Sequence, residues 1–247
     1  MKKFTKSALT VLAAVFMFHG AAAADPFSNF KTGVQDSFIK PFARDLGGLI
    51  GGSDFSSGRT AGFPGFDVGL SAVVQARPSD SNRILRSANV KAFGLPLLQA
   101  CAGLPVVGAD LAVRGMSYSS LSIIGGGLRY PLLKSGTLTK FIPDVAVSAF
   151  YDSIKYTYFK GSHMSFDLSA SFDIPVIKPY AGLGYDRTKI EVTGVPTAAL
   201  NGASAVETGT RYTLGLRVTP FPMTYVFGAY SVLHGAAGYQ AGFGVKF

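Results

Sequence analysis

From Phe66 onward, apolar and polar residues alternate with a period of two. In FDVGLSAVVQ, Phe66, Val68, Leu70, Ala72 and Val74 share one side, opposite Asp67, Gly69, Ser71, Val73 and Gln75. MSFDLSASFDI sets Met164, Phe166, Leu168, Ala170, Phe172 and Ile174 against Ser165, Asp167, Ser169, Ser171 and Asp173. TRYTLGLRV and ADLAVRG repeat the pattern, with Arg211, Arg217, Asp110 and Arg114 on the polar side. Successive side chains of a strand point to opposite faces, so each run predicts a strand with one apolar face. Counting such runs predicts about ten strands, near 65–76, 94–103, 108–118, 120–132, 144–155, 162–174, 178–192, 208–219, 223–234 and 237–247.

One segment has a different period. In DPFSNFKTGVQDSFIKPFARDLGGLIGG, Phe30, Val34, Phe38, Phe42, Leu46 and Leu49 recur at spacings of four and three, which predicts an amphipathic helix. Pro41 interrupts it and is expected to break or kink it, so one helix and two short ones are both open, with Gly51-Gly52 as the stop. Such a helix suits a lumen plug, an interfacial foot or a lead-in.

The connections between strands fall into two alternating kinds. GLPVVG, FIPD, IPVIKP and TPFPM are short and carry proline, whereas RPSDSNRILRSAN, SYSS, YTYFKGS, TGVPTAALNGASAVETG and HGAAG are polar. Two kinds of connection imply two different ends. The expectation is an all-β fold, a transmembrane antiparallel up-and-down barrel of about ten strands (8–12) with a short N-terminal helical segment. Membrane strands of ~9–11 residues joined by short turns on one side and longer loops on the other fit that description, and closure removes the unpaired edges that hydrocarbon does not tolerate. A soluble periplasmic β-barrel or sandwich, whose apolar faces form a core that binds a hydrophobic ligand, is the alternative.

Composition sharpens this picture. The 247 residues are 48% hydrophobic and 15% charged, outside the disordered class. MKKFTKSALTVLAAVFMFHGAAAAD has a basic start, an apolar run from Ala8 to Phe18 and small residues up to Ala24, the pattern of a secretory signal peptide over 1–24. The remainder divides into a helical segment, 25–60, and a barrel, 61–247. Loss of Lys2, Lys3 and Lys6 takes the formal charge from +9 to +6, spread without a basic run, so nucleic acid is not an expected partner. Cys101 is the one cysteine, which excludes an internal disulfide. No later stretch offers eighteen unbroken apolar residues.

The alternating final strand ending in Phe247, with Tyr239, Ala241, Phe243 and Val245 on the same side, resembles the C-terminal assembly signal of bacterial outer-membrane barrels. That resemblance implies recognition by the barrel assembly machinery, outer-membrane lipid as surroundings, and export to the outer membrane. GFPGFDVGL, GLPLLQACAGLP, DLAVRG and KPYAGLGYD, in that order, resemble a family of functionally uncharacterised outer-membrane barrels, which implies the fold and no activity.

Candidate chemistry is sparse. Two histidines lie beyond the signal, His163 and His234, with no CxxC or HExxH spacing, so no metal site, cofactor site or catalytic set is expected. Outer-membrane lipid hydrolases place a histidine and a serine two apart on a strand, as SHMSFD does with His163 and Ser165, but Phe166-Asp167 follows where those enzymes carry Asn or a glycine turn. The glycines of IIGGGLRYP and AGLGYDR lack the lysine of a phosphate loop and suit barrel curvature. Asp67, Gln75, Asp110, Arg114, Arg129, Asp167, Asp173, Arg211, Arg217 and Lys246 are expected on the inner face, where mixed signs suggest ion pairs that close the lumen or line a narrow path for small or apolar solutes. The expected role is non-enzymatic, structural or channel-forming, with the His163/Ser165 hydrolase as the alternative.

Overall fold

The computed structural model describes residues 27, 29–118, 120–136 and 142–247. The signal peptide expected over 1–24 lies outside them, as does Phe141 of the FIPD connection. Two helices, α1 (Phe30–Gly33) and α2 (Asp36–Gly51), precede strand β1 (Phe66–Gln75). A short helix α3 (Arg83–Ser87) follows within the first loop, then β2 (Phe93–Gly103), β3 (Asp110–Tyr118), β4 (Leu121–Leu133), β5 (Asp144–Tyr156), β6 (Phe159–Ser171), β7 (Ile177–Val192), β8 (Ser204–Val218), β9 (Thr224–Leu233) and β10 (Ala236–Lys246).

The ten strands pair antiparallel with their chain neighbours and close through β1 and β10 into one barrel. At the seam Asp67 faces Lys246, Leu70 faces Phe243 and Gln75 faces Gly238. Closure leaves no edge with unpaired backbone groups.

The apolar faces point outward. Leu98, Leu111, Val113, Ile124, Leu128, Leu168, Leu183, Leu214 and Leu216 are exposed, and Leu214 is 68% exposed. This overturns the soluble alternative, in which the same faces would be interior. Two aromatic borders flank the apolar zone: Tyr151, Tyr185, Tyr212 and Tyr230 toward the polar-loop end, and Phe66, Tyr130, Phe172, Phe221 and Phe247 toward the proline-turn end. On β7 the apolar zone runs from Ile177 to Tyr185; nine residues at ~3.3 Å, tilted by about 40°, give a height of about 23 Å, close to the band of a membrane barrel. No helix among the described residues is long and apolar enough to cross a membrane, which says nothing of a barrel that would cross with strands.

The described proline turns share a device. Val106, Val176 and Met223 each follow a proline and have positive φ, and Val107 and Ile177 donate to the carbonyls of Pro105 and Pro175, closing three-residue turns. Proline sets the chain direction as it leaves the ladder.

Pro41 does not break the helix. The break falls at Val34–Gln35, both extended, and Pro41 lies inside α2. The bond it forfeits would run to the carbonyl of Ser37, which is exposed in the first turn, where water can satisfy it.

Candidate functional site

The lumen is filled by the chain's own N-terminal arm. Phe27 and Phe42 pack edge-on against Phe159, Phe27 also against Phe93, and Phe30 lies edge-on to Phe42 and tilted on Phe159; Phe159 and Phe93 begin β6 and β2 at the polar-loop end. Ile39, Phe42, Leu46, Leu49 and Ile50 of α2 are fully buried among Ile123, Ile154, Ile190 and Leu233 of the wall and Ile84 and Leu85 of α3. The helical period thus has an apolar partner inside the upper barrel. Glycine lets α2 approach the wall: a Cβ on Gly47 would overlap the Thr188 side chain, and one on Gly51 would lie 2.7 Å from Arg211 Cζ.

Buried polar groups tie α2 to the loops above. Asp45 accepts from Gln75 Nε2 (3.1 Å), Asn82 Nδ2 (2.8 Å), Ser79 N (2.9 Å) and the Ser79 hydroxyl. Arg44 and His234 clasp each other: the guanidinium donates to the His234 carbonyl (2.6 and 3.0 Å), and His234 Nδ1 lies 2.8 Å from the Arg44 carbonyl.

Past Gly52 the arm becomes polar, and an ionic lattice surrounds it. Asp54, fully buried, pairs with Arg114 and with Arg211 Nη2 (2.7 Å). Arg114 holds Asp152 through two bonds (2.8 and 2.6 Å) while its guanidinium lies over the Phe150 ring. Arg211 also donates to Asp167 (2.7 Å) and Asp186 (2.6 and 3.0 Å), and His234 Nε2 lies 2.7 Å from Asp186. Buried charges persist only when paired and hydrogen-bonded; every charge of this lattice has an opposite partner, although Arg211 Nη1 itself has no hydrogen bond among the described residues.

Below the lattice Phe55 packs on Tyr180, and Ser57 meets Ser171 while its carbonyl accepts from Arg129. The backbone N–H groups of Ala61 and Gly62 donate to Asp110 (2.6 and 2.9 Å), and Lys246 donates to the Thr60 carbonyl (2.8 Å). The arm therefore runs the length of the lumen, from the polar-loop end to the proline-turn end, before β1 begins.

At the proline-turn mouth an open cavity of about 190 Å³ is bordered by Arg59, Lys178, Arg217, Lys246, Asp144 and Asp173. Burial pushes the Asp173 carboxyl upward, but its bond to Lys178 and the charges of Lys178 and Arg59 outweigh this and hold it below the usual carboxylate range. A smaller void of about 30 Å³, sharing Arg217 and Tyr225, lies deeper, beside Phe55.

Of the residues expected on the inner face, Gln75, Asp110, Arg114, Arg129, Asp167, Arg211 and Arg217 are buried inside, while Asp67 bonds inward to Tyr225 (2.6 Å) and Lys246 to the arm. Asp173 differs: β6 ends at Ser171, and Asp173 sits in the mouth, paired with Lys178 (2.5 Å) and Arg59. The carboxylates of the arm and of the facing strands, Asp45, Asp54, Asp152 and Asp186, were not anticipated. Asp152 and Asp186 lie in the inward phase of β5 and β7, a signal the alternation carried; Asp54 lies in a Gly/Ser-rich stretch with no period.

His163 and Ser165 both face inward and are fully buried. His163 Nδ1 is 2.9 Å from Thr188 Oγ1, and Ser165 Oγ has no partner among the described residues, so no bond couples the two. Among the described residues no group of three metal-ligating side chains is placed to hold an ion. Tyr239, Phe243, Val245 and Phe247 lie on the outer surface beside the seam, with Ala241 in the same phase.

A model described as a family of unknown function (DUF6588) matches residues 82–247. No curated protein matches. Among solved structures the chain is similar to the N-terminal β-barrel domain of Pseudomonas aeruginosa OprF (15% identity, 73% of this chain, 97% of that chain, TM-score 0.33). It is similar also to Ail of Yersinia pestis (14%, 75% and 100%, 0.31) and to the translocator domain of the autotransporter NalP from Neisseria meningitidis (12%, 87% and 99%, 0.41).

Proposed function

The chain belongs to the DUF6588 family, whose function is unknown, and from the lumen geometry we propose that it is a non-enzymatic outer-membrane barrel whose conduit is sealed at rest by residues 27–62. Asp54, bonded to Arg114 and Arg211 at the centre of the barrel, carries this reading, because it pins the arm where a pore would run. A ten-stranded barrel is only slightly wider than one that wall side chains fill, so one helix and one extended segment are enough to block it. Residues 1–24 act as the export signal, the described arm from Phe27 to Gly62, which takes in most of the 25–60 segment, is the plug, and the strand ending at Phe247 presents the assembly signal, with the polar loops outside the cell.

A narrow channel that opens when the arm withdraws is the second reading. It is favoured by the polar character of the lower arm, GGSDFSSGRTAG, which is held to the wall by ion pairs and hydrogen bonds beside the packing of Phe55 on Tyr180. Planar-bilayer recording of the full chain tests both. The intact protein stays silent, and Asp54→Lys, which sets a cation against Arg114 and Arg211, produces discrete openings. Steady conductance from the intact protein would rule out a sealed resting state; silence from a folded Asp54→Lys variant would remove the channel. For the hydrolase alternative, unchanged lipid hydrolysis by folded Ser165→Ala ends the case.

A further inference from the structure

Charge is distributed unevenly over the outer surface. On the outward-facing positions of the ten strands, the charged side chains among the described residues are Lys155, Lys160, Arg187, Lys189 and Glu191, all on β5, β6 and β7 and all at the polar-loop end. Lys155 and Lys160 stand directly opposite each other across β5 and β6, and Lys160 opposite Glu191 across β6 and β7, with Lys160 Nζ 2.9 Å from Glu191 Oε1. One step toward the membrane, Ser153, Ser162 and Lys189 form the next row, and Tyr151, Met164 and Arg187 the row after that.

Lys155, Arg187 and Lys189 are exposed and make no ion pair among the described residues. Like charges directly opposite on a sheet are destabilising, so the Lys155–Lys160 pair and its unpaired neighbours favour an external anion. Below the basic rows the same three strands continue outward as Ala149, Phe166 and Tyr185, then Val147, Leu168 and Leu183, an apolar column in the membrane band. At ~4.8 Å between strands and ~3.3 Å per residue, the cations cover roughly 10 by 14 Å above that column.

We propose that this sector docks an anionic lipid through a phosphate-bearing headgroup, with Lys155, Arg187 and Lys189 on the phosphate and the acyl chains along Phe166, Leu168 and Leu183. Guanidinium and ammonium groups donate charge-assisted hydrogen bonds to phosphate oxygens. Position selects a lipid over a free anion, because the basic rows border the apolar band and the column below them would be unused by inorganic phosphate. The inference is independent of what the arm does in the lumen.

The test is native mass spectrometry of the folded full chain in a neutral detergent, titrated with dioleoyl phosphatidic acid and, separately, dioleoyl phosphatidylcholine. Phosphatidic acid is retained preferentially, and Lys155→Gln/Arg187→Gln/Lys189→Gln weakens its binding about 100-fold, equivalent to ~2.8 kcal/mol at ~1.4 kcal/mol per tenfold and in line with ~1 kcal/mol per basic residue at an anionic surface. The loop variant Arg77→Gln/Arg83→Gln/Lys91→Gln binds as the parent does. These outward side chains touch neither lumen nor seam, so folding is checked by heat-modifiable gel mobility; if the triple variant does not fold, Arg187→Gln and Lys189→Gln singly are each expected to cost about fivefold. Equal retention of the two lipids, no loss in folded variants, an equal loss in the loop variant, or displacement of the lipid by millimolar inorganic phosphate would each overturn the proposal.

Discussion

Arg211 is the residue on which the polar lumen most depends. It is 1% exposed and donates to three carboxylates, Asp54, Asp167 and Asp186. Arg211→Met keeps an unbranched chain about as long as the arginine stem as far as Nε and removes the guanidinium and its charge. Asp54 then retains Arg114, Asp186 retains His234, and Asp167 is left with the Ser148 hydroxyl at 3.2 Å. Removing one partner of a buried ion cluster costs about 3–5 kcal/mol, because the remaining charges stay desolvated and uncompensated. With an m-value near 2 kcal/mol/M, the urea midpoint falls by about 1.5–2.5 M. The assay is equilibrium urea unfolding of the full chain in phospholipid vesicles, followed by tyrosine emission, since the sequence has 11 tyrosines and no tryptophan. Adding Asp167→Asn removes the most isolated carboxylate and recovers about 0.5–3 kcal/mol, the range of coupling between groups in contact. A midpoint shift below 0.5 M, or a double variant weaker than Arg211→Met, would refute the argument that the lattice holds the arm as compensated charge.

Three further outcomes are expected. Gly47→Ala lowers stability by about 1–3 kcal/mol in the same unfolding assay, although alanine favours helix, because the new methyl overlaps Thr188; an increase would mean that α2 is not pressed against β7. Leu214→Lys, in the outer apolar band, costs about 2–4 kcal/mol in vesicles, whereas on a water-facing surface it would be near neutral; a change within 0.5 kcal/mol contradicts the membrane assignment of that face. Asp173 titrates below its ordinary value of 3.8, so the stability its mouth contacts contribute is present above that value and lost as pH falls through the lower, folded-state pKa. Carboxyl-carbon NMR checks this, and a midpoint at or above 3.8 would show that Lys178 and Arg59 do not dominate.

Ten strands were legible because lipid and lumen impose a strict alternation on the wall. Their loop-side ends were not. β6 begins at Phe159 and β8 at Ser204, beyond the expected 162 and 208, because the backbone ladder continues past the membrane while Ser204 and Thr208 no longer need to be apolar. The short helix α3 was hidden in a segment read as loop for the same reason: its Ile84 and Leu85 bury only because α2 is there to receive them. Within the lumen, the wall arginines could be placed on the inner face one by one, but their partner Asp54 lies 60 residues from Arg114 and 157 from Arg211. Contacts of that separation leave no periodic trace in either segment. His234 was read as part of a loop and instead clasps α2, a role set by the position of the β9–β10 turn over the helix.

The threaded arm also constrains the order of assembly. It is tethered to β1 at the proline-turn end, and its Phe27 end lies among the opposite loops, so a barrel whose β1–β10 seam had already zipped would have to draw that end through a lumen only slightly wider than its own side chains fill. Closing the seam around an arm already in place avoids this, an order in which pairing across β1 and β10 comes last. On that route the arm is a mandrel on which the wall is wound, with Asp54 joined to Arg114 of β3 and Arg211 of β8 once the circle is shut.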